Sequence, residues 1–154
     1  MKELYKVEGI LNRGFVGQIT YTVCLEETYS KLDIRFSFDA DKRTYRPDEV
    51  TPALIRDTID SARRNNGLDI DEARARQVIL GDMKTEIHTL ATLNDAFIGC
   101  IHRQLTDRHM RYDGEYASEG CVPCPQFDGV LKVTVLVFNV IKDETRYQLS
   151  VSAE

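Results

Sequence analysis

The sequence predicts an α+β fold: a single five-stranded antiparallel sheet, three strands from the N-terminal end and two from the C-terminal end, with two or three helices packed on one face. Three observations predict it. Apolar and polar residues alternate at both ends of the chain, the middle switches to a helical period between capping residues, and a long polar stretch before the last strands has no period at all.

The first strand is the weakest, with Tyr5, Val7 and Leu11 on one side. From Gln18 to Glu26 the apolar face is Ile19, Tyr21, Val23 and Leu25; from Lys31 to Asp39 it is Leu32, Ile34, Phe36 and Phe38. The links between these segments, Arg13-Gly14-Phe15-Val16-Gly17 and Glu27-Thr28-Tyr29-Ser30, have the length and turn residues of hairpins, so an antiparallel meander is expected. At Thr51-Pro52 a side-chain cap precedes proline at the first helical position, where its missing N–H costs nothing. Leu54, Ile55, Ile59 and Ala62 then share a helical face until Asn66-Gly67, a left-handed stop. A second helix starts at Asp71 and ends at Gly81.

Met83, Ile87, Leu90, Phe97, Ile101 and Leu105 fit a helical stripe, and a third helix over 83–105, kinked or broken near Asn94, is the expected reading. Thr106 to Asp128 reads as a loop. A connection that long is uncommon in a compact domain and usually functional, so a site is expected there first. Val130 to Ile141 is apolar on both faces, as in a strand that is central or covered on both sides, and Arg146 to Ala153 alternates with one wet face.

Composition narrows the function classes. The 154 residues fit a single domain, 1–154, and 42% apolar with 29% charged residues is ordinary globular usage. No apolar run reaches the ~20 residues of a membrane span, and the charge-rich start lacks the apolar core of a signal peptide. The expected compartment is therefore the cytoplasm, where Cys24, Cys100, Cys121 and Cys124 stay reduced. At net charge −5, the basic stretch Arg103, Arg108, His109, Arg111 is hemmed in by Asp107, Asp113, Glu115 and Glu119, so neither nucleic acid nor a membrane is an expected partner.

Cys121-Val122-Pro123-Cys124 is the one chemically suggestive motif. Two thiolates at this spacing hold half of a tetrahedral zinc site, and the candidates to complete it are Cys100 and His102, with His109 and His88 behind them. Cys100 and His102 share a face only on a strand, so the helical reading of 83–105 weakens the zinc site. A dithiol redox role needs an activating helix after the first cysteine, whereas Pro125 to Gly129 leads into a strand. His109, Arg111, Tyr112 and Tyr116 are the candidate ligand or partner contacts of the loop. The tyrosines are read first as pins holding it on the sheet.

No catalytic constellation emerges. The expected function is a non-catalytic binding or regulatory domain without a cofactor, meeting an unidentified small molecule or protein and forming a homodimer through a one-sided strand such as Lys31 to Asp39. The alternative is a thiol site, zinc-binding or redox, at Cys121 and Cys124.

Overall fold

The computed structural model describes residues 1–102 and 105–154, and every segment of strong alternation is a strand in it. The N-terminal strands are β1 (Lys2–Leu11), β2 (Gly17–Tyr29) and β3 (Lys31–Phe38). Helices α1 (Pro52–Asn66) and α2 (Glu72–Gly81) follow. The chain then returns to strands: β4 (Glu86–Leu93), β5 (Ala96–Ile101), β6 (Asp107–Asp113), the two-residue β7 (Tyr116–Ala117), β8 (Phe127–Asn139) and β9 (Thr145–Ala153).

These strands form two sheets, not one. One sheet has the order β1-β9-β3-β6-β7 and the other β2-β8-β4-β5. The antiparallel pairs β1–β9, β2–β8, β3–β6 and β4–β5 are those of one long hairpin whose tip lies between β4 and β5. Rolling that hairpin brings β9 beside β3 and β8 beside β4, which gives the double-sheet jelly-roll wind. The inner faces meet in one continuous core: Leu32, Ile34, Phe36, Leu149 and Val151 from the first sheet, Leu131, Val133, Val135 and Ala91 from the second. Tyr21 and Tyr147 join the two sheets through a 2.5 Å hydroxyl–hydroxyl hydrogen bond.

The expected meander is therefore wrong. The short links after β1 and β2 carry the chain from one sheet to the other at the sandwich corners. The register shift between Leu25 and Tyr29 bends β2 into such a corner, a known use of strand irregularities. Likewise β8 and β9 are consecutive but lie in different sheets. The helical expectation for 83–105 fails as well. Residues 86–101 form the β4–β5 hairpin, and Asn94 (φ 50°) with Asp95 (φ 65°) forms its tight turn, both residues left-handed as a type I′ turn requires. The aperiodic loop also proves to hold β6 and β7. Arg103 of the basic stretch lies outside the described residues.

Both helix starts and the first stop are as the residues imply. Thr51 Oγ1 accepts from the Leu54 N–H, Asp71 Oδ1 accepts from the Arg74 N–H, and Gly67 is left-handed at φ 64°. The helices do not cover a sheet face, however. Leu54, Thr58, Ala75 and Ile79 are buried outside the sandwich core, and the flanking segments are tied to the turns at one end. There Tyr45 donates to the Ile141 carbonyl, Thr85 accepts from the Ile141 N–H, and Lys142 pairs with Glu49. No helix among the described residues is long and apolar enough to cross a membrane.

Candidate functional site

On one side of the sandwich the edge strand β5 of one sheet lies near β6, which only the two-residue β7 flanks in the other, and the chain after β7 fills the gap between them. Its backbone pairs with both. The Cys100 N–H donates to the Gly120 carbonyl at 2.8 Å and the Val122 N–H to Ile98 at 2.8 Å, while the Ser118 N–H donates to Arg111 at 2.9 Å. Two glycines make this possible. A β-carbon at Gly120 (φ +82°) would lie 2.4 Å from the Cys100 carbonyl oxygen, and one at Gly99 would lie 2.8 Å from Cys121 Sγ.

Above this stitch is a cavity of about 390 Å³, within the range of small-molecule sites, lined among others by Cys100, His102, Arg108, His109, Ser118 and Glu119. Arg108 gives it its electrostatic character. The residue occupies an inward position of β6, is 3% exposed, and stacks its guanidinium 5.0 Å from the centre of the Phe36 ring. Burial pulls its pKa down to about 10, so it remains a cation at neutral pH. Burial pushes the Cys100 thiol up, with Arg108 opposing only in part. Asp107, at the rim, takes a two-pronged hydrogen bond from Arg35 at 2.9 and 2.6 Å, and that bond holds its carboxyl below the usual range. His109 Nδ1 lies 2.8 and 3.1 Å from the two oxygens of Asp33, and His88 Nε2 is 3.1 Å from Glu86. Both histidines are thus paired with carboxylates, His109 through Nδ1 and His88 through Nε2.

Of the residues singled out from the sequence, His109, Cys100 and His102 meet at this cavity. Arg111 is exposed on the outer face of β6 beside Asp33, and Tyr116 is exposed on β7. Tyr112 is not a contact residue: it is 2% exposed, packs edge-on against Phe127 and donates to the Ile98 carbonyl at 3.0 Å. It pins the segment, and burial together with the Cys121 thiol raises its pKa far above the ordinary tyrosine value.

The four proposed zinc ligands do not converge. As β5 is a strand, Cys100 and His102 do share a side. Cys121, however, sits against Gly99 and so on the opposite side from Cys100, and Cys124 donates to the Gln126 carbonyl. Among the described residues no group of three or more His, Cys, Asp or Glu is arranged to hold a metal ion.

The reading of the sequence missed Arg108 as a site residue, together with Ser118 and Glu119. The signal for Arg108 is the alternation Asp107, His109, Arg111, Asp113 outward against Arg108, Met110, Tyr112 inward. An arginine at an inward position hides that period from a scan for apolar residues.

Fold and site together define a jelly-roll β-sandwich with a helical insert between its third and fourth strands and an edge cavity walled by a buried arginine. The chain belongs to DUF6669, a family of unknown function, whose family model matches residues 1–154. No curated protein and no solved structure matches it.

Proposed function

We propose that the protein is a cytoplasmic, non-catalytic binding module that takes a small anionic ligand, a carboxylate or phosphate compound, in the β5–β6 edge cavity. The observation that carries this reading is Arg108, a buried guanidinium on the wall of a 390 Å³ cavity that stays charged to a pH of about 10. A planar cation held rigidly by an aromatic ring is suited to bidentate recognition of carboxylate or phosphate. The cavity thiol is pushed away from the thiolate that nucleophilic or redox work requires, which supports binding over catalysis. Four free cysteines accord with a reducing compartment.

Titration calorimetry with citrate and with inorganic phosphate tests the reading. Saturable binding of at least one is expected, abolished by Arg108→Gln and weakened by Leu105→Glu, which sets a like charge at the mouth on a side chain that is 51% exposed. No saturable heat with either anion, or binding unchanged in both variants, would contradict it.

A further inference from the structure

The two outer faces of the sandwich differ in kind. That of the five-stranded sheet is laced with ion pairs, Arg35 with Asp107 and Asp33 with His109 and Arg111 among them, as expected of a face kept in water. The self-association expected from Lys31 to Asp39 finds no support there. The four-stranded sheet is the opposite case. Across its paired strands β2, β8 and β4 the outward side chains include Thr20, Thr22, Thr134, Leu136, Phe138 and Leu90. Over Gln18 to Cys24 and Val130 to Phe138 the single charged side chain is Lys132, and its ammonium is held by Asp95 at 2.6 Å; on β4 the outward Glu86 pairs with His88 at 3.1 Å. Among the described residues this face is left open, and Phe138 and Phe97 keep 52% and 53% of their surface exposed.

We infer that this face is a two-fold interface with a second copy of the same chain. Three features favour a second copy over another partner. The first is charge. In a chain with 29% charged residues this face carries few, and Lys132 and Glu86 are each paired within the chain, so it is depleted in charge like an interface core and offers no sign by which to select an oppositely charged partner. The second is area. Strands spaced ~4.8 Å apart and rising ~3.3 Å per residue, over nine residues each of β2 and β8, eight of β4 and six of β5, cover roughly 500 Å² in plane, and side-chain relief raises that toward the ~800 Å² per partner of a stable association. The third is shape. Tall Phe97 stands on the β5 edge, and the short threonines Thr20 and Thr22 stand on the β2 edge opposite. A two-fold axis parallel to the strands lays β5 of each copy over β2 of the other, so tall meets short twice, as an isologous contact requires.

Sedimentation equilibrium at micromolar concentration tests this. The expected result is a species of twice the 17.6 kDa chain mass. Thr134→Arg, which sets like charges against each other near the axis, should weaken the dimer roughly a hundredfold. Thr22→Arg, at an exposed edge position that leaves the core untouched, should do so as well. Arg35→Ala, on the other sheet, should leave the dimer intact. A monomer at every concentration, or a dimer that survives both arginine variants with unchanged affinity, would overturn the inference.

Discussion

Gly9→Ala should destabilise the protein far more than its position on an edge strand would imply. Gly9 lies opposite Tyr147 in the β1–β9 register, and the tyrosine ring passes directly over it. A β-carbon there would sit 2.4 Å from both Cζ and Oη of Tyr147, roughly 1 Å inside ordinary carbon contact. The ring must therefore move by about that much, and moving it breaks the 2.5 Å hydrogen bond to Tyr21 that joins the sheets. Overpacking costs ~1–3 kcal/mol and the hydrogen bond ~1 kcal/mol, together ~2–4 kcal/mol. At this chain length that is a fall of roughly 4–16 °C in melting temperature. Tyr21→Phe removes only the hydrogen bond and should cost ~1 kcal/mol. Because the bond can be lost only once, the double variant should fall short of additivity by about that same 1 kcal/mol. Equilibrium urea unfolding measures all three. A Gly9→Ala variant within ~0.5 kcal/mol of wild type, or full additivity with Tyr21→Phe, would refute the proposed tyrosine latch.

Three further outcomes follow from the same structure. Asn94→Ala should cost ~2 kcal/mol in urea unfolding, because Asn94 holds a left-handed turn position and also bonds the Val130 N–H and the Asp128 carbonyl; a cost below ~0.5 kcal/mol would show the turn to be dispensable. Stability should decline above pH ~10, since burial raises the pKa of Tyr21 and of Tyr112: the unfolded chain releases these protons first and binds fewer of them, so alkali favours unfolding. Tyr112→Phe should blunt that decline, and a native protein whose every tyrosine ionises near pH ~10 would contradict it. Chelators should leave the melting temperature unchanged, and Cys121→Ser should cost only ~1 kcal/mol through lost packing; stoichiometric zinc that departs together with stability would restore the thiol-site alternative.

The strands at both ends were legible because each has one face in the core. Leu32, Ile34, Phe36 and Phe38 are all buried, with polar neighbours between them. The helix caps were legible because capping is local chemistry. Which strands pair was not legible, since short links normally join neighbours and here they turn sandwich corners. The β4–β5 hairpin was misread because Met83, Ile87, Leu90 and Ile101 also satisfy a helical spacing, while the turn signal lay in two residues, Asn94-Asp95, that a kinked helix also accommodates. At the site, His109, Cys100 and His102 were found because they sit in a chemically unusual stretch. Arg108 was passed over because one sequence does not show whether an arginine faces water or the core. The zinc set failed on a geometric point that spacing does not reveal: Gly99 and Cys100 face opposite ways, and Cys121 follows Gly99.

The most direct test of the binding account is an amide NMR titration with the anion that binds in calorimetry. The account predicts saturable shifts centred on Cys100, Arg108, Ser118 and Gly120, all absent in Arg108→Gln while the rest of that variant's spectrum stays that of a folded chain. Shifts centred instead on an outer sheet face or on the helical insert, or no saturable shift at all, would contradict it.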